Sequence, residues 1–286
     1  MKKFHSAKAV REDMKSEGLK FNKAFGQNFL TDETVLEKIV GAGNLTKDDC
    51  VLEIGPGMGV LTCELAKKAG KVISVEIDRN LIEPLKKTTA QFDNVEIINE
   101  DILKVDLEKL FREKFSGKPV KVIANLPYYI TTPIIMTLLE SRLNITDIVI
   151  MIQKEVAERL TADAGKKEYG AISVSVNYYS KPEKIVDVPP HAFVPQPKVW
   201  SQVIRLGVYS EPPVKVKDEE VFFALIKGAF GQRRKTLVNS AGNYPPLKTD
   251  KETVKQALLS MGLSETVRGE ALTLSQFAYL SDLLTK

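Results

Sequence analysis

Cysteine and histidine are nearly missing from this 286-residue chain, which has two of each. Two thiols, Cys50 and Cys63, are too few for a disulfide framework or a thiolate zinc site, and both read as core residues beside the first strand. With only His5 and His191 present, a histidine-rich metal site is excluded, and His191 reads as a surface or turn residue without a chemical role. Long apolar runs are missing too: none approaches the roughly 20 residues that span a bilayer. The N-terminus is polar and basic, without the apolar stretch of a secretory signal. The expectation is a cytoplasmic protein that does not enter membranes. No internal repeat or low-complexity tract appears either, which leaves ordinary globular packing.

What the chain does have is core-forming material, 43% apolar against 27% charged residues. That suffices for one large domain or one and a half ordinary ones. The net charge of +4 is too small to name a partner, but its distribution says more. Lys2, Lys3, Lys8, Arg11, Lys15, Lys20 and Lys23 crowd the first 25 residues against three acids. Lys227 and Arg233-Arg234-Lys235 form a second cluster with no acid between its members. Each cluster reads either as a solvated face or as a contact for a polyanion such as RNA.

Short β-branched runs at 51–54, 72–76, 95–99, 120–124, 147–152 and 172–179 alternate with helical periods at 32–42, 60–69, 80–90, 133–141 and 154–162. Such alternation predicts an α/β fold whose parallel sheet is covered on both faces. Right-handed crossovers gather the strand C-termini on one edge, where ligands bind. A further strand is expected at 200–209, and Ser210-Glu211-Pro212-Pro213 reads as a linker. Beyond it only helical patterning follows. Val221, Phe222, Leu225, Ile226, Ala229 and Phe230 share one face. Thr249-x-x-Glu252 and Thr273-x-x-Gln276 read as capping boxes. The expected division is a domain over 1–208, opening with a basic segment at 1–25, and a small all-α domain over 209–286.

Residues 51–59, Val-Leu-Glu-Ile-Gly-Pro-Gly-Met-Gly, run a strand into a glycine-rich turn, where Gly55 and Gly57 let the backbone approach a ligand. The dinucleotide fingerprint needs a sixth-position glycine, and that position is Val60. Glu76 ends the next strand, where a carboxylate accepts from ribose hydroxyls. The third strand runs into Asp101 and Ile102, an acceptor for an adenine amino group and a cover for its ring. A nucleoside without a diphosphate fits this set, and S-adenosylmethionine is such a ligand. Taken singly, Glu76 or Asp101 also reads as a solvated acid at a strand end.

The fourth strand runs into Asn125-Leu126-Pro127-Tyr128. An Asn-x-Pro stretch reads first as a turn, since Pro127 fixes φ and Asn tolerates turn geometry. The same four residues supply an amide oxygen, a carbonyl at Leu126 and an aromatic face. Those groups suit methyl transfer to the exocyclic amine of a base, which offers two N–H donors and a ring to stack on.

These motifs together resemble the ribosomal RNA adenine N6,N6-dimethyltransferases, small-subunit branch. The resemblance covers nearly the whole chain, from Gly26-Gln27-Asn28-Phe29-Leu30 through the strand-end motifs above and Phe193-Val194-Pro195-Gln196-Pro197-Lys198-Val199 to Phe230-Gly231-Gln232-Arg233-Arg234-Lys235-Thr236-Leu237. It implies a seven-stranded Rossmann-like methyltransferase sheet and a helical C-terminal domain. It implies S-adenosylmethionine held by Asn28, Leu30, Gly55, Glu76, Asp101 and Asn125, and a target base stacked by Tyr128 together with Phe193. It implies dimethylation of two adjacent adenosines in a hairpin loop near the 3′ end of 16S rRNA, within the assembling small ribosomal subunit. Lys227, Arg233, Arg234 and Lys235 are the candidate phosphate contacts, and a monomer is expected. The chain departs from the family at Ala24-Phe25 and at Trp200, which reads either as packing or as an extra aromatic contact with RNA. Two alternatives stay open: a large-subunit methyltransferase of the antibiotic-resistance type, and a non-catalytic assembly factor.

Overall fold

The computed structural model describes residues 26–285 and, ahead of them, Glu12, Met14, Lys15 and Gly18. Of the basic N-terminal residues only Lys15 falls within that set, and Ala24-Phe25 lies outside it. The chain divides into two compact units, Met1–Ala157 with Pro182–Val208, and Glu158–Lys181 with Tyr209–Lys286. The second unit thus takes residues 158–181 in addition to the expected 209–286, where a single boundary at 208 had placed them in the first. No helix among the described residues is long and apolar enough to cross a membrane.

The first unit is built on a seven-stranded sheet. Its strands are β2 (Cys50–Ile54), β3 (Lys71–Glu76), β4 (Val95–Asn99), β5 (Val120–Asn125), β6 (Ile145–Gln153), β7 (Ser180–Val188) and β9 (Ser201–Val208), in spatial order β4-β3-β2-β5-β6-β9-β7. The first five run parallel, and β9 pairs antiparallel with β6. The central strands are buried along their length because helices cover the sheet, as their continuous apolar runs require. The crossover helices are α2 (Val60–Lys68), α3 (Arg79–Thr89), α4 (Leu107–Phe115) and α5 (Thr131–Glu140), after α1 (Glu33–Ala42). Helix α4 was not foreseen. Its signal was present, since Asp106 caps Lys109 N–H and Leu107, Leu110, Phe111 and Phe115 are buried at helical spacing. A second, two-stranded pairing joins β1 (Phe29–Leu30) to β8 (Phe193–Val194).

Residues 172–179, expected as a strand, form helix α7 (Ala171–Tyr179), after α6 (Lys154–Leu160). The period-two alternation misled because this helix is buried nearly all round, at Ser173, Val174, Ser175, Val176 and Tyr178. Tertiary packing overrides local propensity there. The strand follows instead as β7, Ser-Lys-Pro-Glu-Lys-Ile-Val-Asp-Val. Its Lys and Pro residues suit its place at the sheet edge, where they discourage pairing with other chains.

The second unit continues with α8 (Glu219–Gly231), α9 (Leu237–Ala241), α10 (Lys251–Ser260) and α11 (Leu274–Leu284). Phe222, Leu225, Ile226 and Ala229 of α8 are buried in its core with Tyr178, Val254 and Phe277. The capping box at Thr273 and Gln276 forms. The one expected at Thr249 does not, because the Asp250 carboxylate caps α10 directly by accepting from Thr253 N–H.

Candidate active site

The sheet order reverses direction between β2 and β5, and open α/β sheets bind ligands at that crevice. Here the two strand ends carry Gly55 and Asn125. Gly55, Gly57 and Gly59 all take positive φ, which β-carbons disfavour. At Gly57 the space itself is closed: a Cβ would lie 2.8 Å from Phe29 Cε1. The glycine turn therefore passes directly beneath the Phe29 segment. That segment is held by β1–β8 pairing and by Thr31, whose N–H and Oγ1 both donate to the Ala192 carbonyl at 2.8 and 3.1 Å.

One cleft collects most of the expected residues. Asn28, Leu30, Gly55, Gly57 and Glu76 line one part of it, and Asn125, Leu126, Pro127 and Tyr128 another. Asn125 Nδ2 donates to the Asn28 carbonyl at 3.0 Å. With its nitrogen so committed, the amide presents Oδ1 as an acceptor. Leu126 N–H donates to the Met151 carbonyl on β6, and Thr131 Oγ1 donates to the Pro127 carbonyl, so the turn is held on both sides. The Tyr128 hydroxyl lies 2.6 Å from Ser201 Oγ, which fixes its ring, and burial pushes its phenol above the ordinary range.

Glu76 accepts from Gly57 N–H at 3.0 Å and from Asp78 N–H at 2.8 Å. Burial raises its carboxyl nonetheless. Asp78 caps α3 and also accepts from Gln27 Nε2 at 2.7 Å, tying the Gln27–Asn28 stretch to the β3 edge. These residues fit an S-adenosyl ligand. The backbone cradle at Gly55–Gly57 admits close approach, Glu76 offers a carboxylate beside it, and the absence of a sixth-position glycine suits a ligand without pyrophosphate.

Three expected residues stand apart from this cleft. Asp101 Oδ1 accepts from Leu103 N–H at 3.1 Å, and Ile102 is buried; neither lines it. Phe193 is fully buried among the core residues of the first unit, opposite Leu30 in the β1–β8 pairing. Its ring has no exposed face in this structure, so stacking on a target base together with Tyr128 requires the ring to become accessible. Its observed part is packing against β1, the strand that follows Asn28. Residues 195–199 of the same motif stay at the surface except half-buried Pro197.

Three functional candidates were not foreseen. Glu53 lines the cleft and is fully buried. Ser74 Oγ donates to its Oε2 at 2.7 Å, while Oε1 lacks a partner among the described residues. The Thr62 hydroxyl stands near but outside hydrogen-bond geometry. Burial, more than anything else, pushes this carboxyl up to about 7. Gln27 lies in the Gly26–Leu30 motif, and its bond to Asp78 joins residues 51 apart in sequence, beyond the reach of a local pattern. Tyr129 is half exposed, and its phenol is raised first by burial and then by Asp101 and Glu76, which sets it near both. In a strand a buried acid between apolar neighbours is the readable signal for Glu53.

In the second unit Arg233 is engaged: its Nη2 donates to the Lys167 carbonyl at 2.6 Å and lies 3.5 Å from Glu270. Lys227, Arg234 and Lys235 are exposed and make no ion pair among the described residues.

Residues 18–282 match the family described as ribosomal RNA adenine dimethylase. The chain is 53% identical over 274 residues to the ribosomal RNA small subunit methyltransferase A of Alkaliphilus metalliredigens, covering 96% of this chain and 94% of the relative. Among solved structures it resembles a dimethyladenosine transferase from Plasmodium falciparum, with TM-score 0.74, 27% identity and coverage of 88% and 95%. It also resembles the 23S rRNA methyltransferase ErmE, with TM-score 0.71, 27% identity and coverage of 91% and 100%.

Proposed function

The chain belongs to the ribosomal RNA adenine dimethylase family, and from that premise we propose that it dimethylates N6 of two adjacent adenosines in the 3′-terminal hairpin loop of 16S rRNA. Its substrate is the assembling small ribosomal subunit, and it works there as a cytoplasmic monomer. The first unit carries the chemistry and the helical unit contributes RNA contacts through Lys227, Arg234 and Lys235. The observation that carries the reading is the Asn125 amide, whose nitrogen is committed to the Asn28 carbonyl and which lines a cleft shared with Glu76, Gly57 and Tyr128.

S-adenosylmethionine, when bound, supplies an activated methyl group. Gly55 and Gly57 admit it, Glu76 accepts from its ribose, and Asn28 and Leu30 cover it. Asp101 and Ile102, which stand outside the cleft, would reach the adenine of the bound cofactor. The chain's remaining task is to position an amine. Asn125 Oδ1 and the Leu126 carbonyl accept its two N–H groups, which aims the nitrogen lone pair away from them. Tyr128, anchored by Ser201, stacks on the base and offsets unstacking, which amounts to a few kcal/mol and is least in a loop. Acceleration then comes mainly from proximity and alignment. Large-subunit methylation is the weaker reading, since the 53% identical relative bears a small-subunit name and ErmE is matched at 27%. The intact cleft weighs against a purely non-catalytic assembly factor.

The test is transfer of a labelled methyl group to undermethylated small subunits. Asn125→Ala is expected to lower kcat about 100- to 1000-fold, the effect of losing one positioned polar group, with binding of hairpin RNA by anisotropy retained. Near-normal turnover by this variant sinks the assignment.

A further inference from the structure

Trp200 is the only tryptophan of the chain, and half of its surface is open to solvent. It immediately precedes Ser201, which is fully buried and whose Oγ lies 2.6 Å from the Tyr128 hydroxyl. Successive Cα atoms are about 3.8 Å apart, so Trp200 stands one residue along the chain from the group that anchors the ring proposed to hold the target base. Its position is fixed rather than loose. The Trp200 carbonyl accepts from Lys154 N–H at 2.9 Å. Lys154 Nζ sits 5.8 Å from the indole centroid and is itself held 2.6 Å from Asp187. Gln202, two residues on, also donates to Asp187. Lys198 and Val199 beside it are exposed as well. With Lys154 Nζ over one face of the ring and exposed Lys198 nearby, the half-exposed indole is the kind of aromatic surface on which an unpaired nucleotide stacks by its other face. Ordering is already done before the ligand arrives, which favours binding.

We propose that Trp200 is a stacking platform for an unpaired nucleotide flanking the one held at Asn125–Tyr128. The inference rests on the proposed function in one respect, that the substrate is RNA. It adds a contact outside the cleft that selects for single-stranded, splayed RNA around the target and acts on substrate binding rather than on the methyl transfer itself.

Two measurements test it. The first is the KM for undermethylated small subunits in Trp200→Ala and Trp200→Phe. Loss of one stacked base is worth about 5- to 140-fold, and for a half-exposed ring we expect about a five- to tenfold rise in KM for the alanine variant, with phenylalanine in between. An unchanged KM in Trp200→Ala overturns the proposal. So does a fall in kcat alone, which marks Trp200 as a support for Tyr128 instead. The second is the intrinsic fluorescence of the wild-type protein, which reports on this one indole. Protein-free hairpin RNA, added until anisotropy shows saturation, is expected to quench it. If the KM rises but the saturating RNA leaves the emission unchanged, Trp200 meets a protein of the subunit and the RNA proposal is overturned. Failure of the wild-type protein to methylate subunits counts against the proposed function, whereas methylation with an insensitive Trp200→Ala variant counts only against the platform.

Discussion

In the sheet unit the buried polar residues include four carboxylates, Glu53, Glu76, Asp78 and Asp147; in the helical unit those among the described residues are all serines. The serine hydroxyls are largely spent on carbonyls close by: Ser281 on Ala278, Ser180 on Val176, Ser173 on Arg159. The carboxylates differ among themselves. Asp147 is consumed by an ion pair with Arg205 and Asp78 by a helix cap. Glu76 bonds the glycine turn, and Glu53 keeps one oxygen without a partner. A satisfied buried group stabilises or is neutral, while an unsatisfied one is a standing penalty. The sheet unit thus carries polar capacity at its ligand edge that its own fold does not use, and the helical unit carries packing and a charged surface.

That contrast can be broken in several ways. The largest effect is expected in the helical core: Phe222→Ala, removing a fully buried ring 5.0 Å from Tyr178, is expected to destabilise by about 3–5 kcal/mol in urea unfolding. Cofactor affinity per folded molecule is expected to stay the same; a weakened affinity would show that the helical core shapes the cleft. Glu53 comes next. Its native carboxyl lies at about 7 against an ordinary 4.5, so the native state holds its proton more tightly than the unfolded state. Stability is therefore lost as pH rises through that window, by up to about 3 kcal/mol from this group. Glu53→Gln is expected to flatten the difference between urea midpoints at pH 5 and pH 8, and an unaltered pH profile removes Glu53 as its cause. The smallest effects concern the basic cluster. Arg234→Ala and Lys235→Ala are each expected to reduce the salt slope of RNA binding by about 1 with stability unchanged. Arg233→Ala is expected to leave that slope alone and lower stability by on the order of 1 kcal/mol, since its half-exposed guanidinium is engaged within the unit. Equal slopes for all three variants would erase the distinction drawn from their partners.

Much of the site was legible because it is written at strand ends. Gly55, Glu76 and Asn125 each terminate a run of buried residues, and a parallel sheet necessarily brings those termini to one edge. The orientation of the Asn125 amide was not legible, because it depends on the Asn28 carbonyl 97 residues away in sequence. The burial of Phe193 was not legible for a related reason. Its motif marks the position, but whether a ring faces a cleft or a core depends on the β1–β8 pairing. Arg233, Arg234 and Lys235 look alike in one dimension; only Arg233 finds the Lys167 and Tyr169 carbonyls.

Local chemistry by itself determined the strand–turn–helix units, the acids at successive strand ends, the Asn125–Tyr128 turn and the helical character of residues beyond 213. These depend on neighbours within a few residues, where periodicity, glycine and proline act directly. Tertiary structure alone decided that residues 171–179 coil as a helix, that the polar stretch 180–188 closes the sheet edge, that Phe193 is core and that Trp200 is surface. Each of those outcomes turns on what packs against the segment, and burial is a property of the partners rather than of the segment alone.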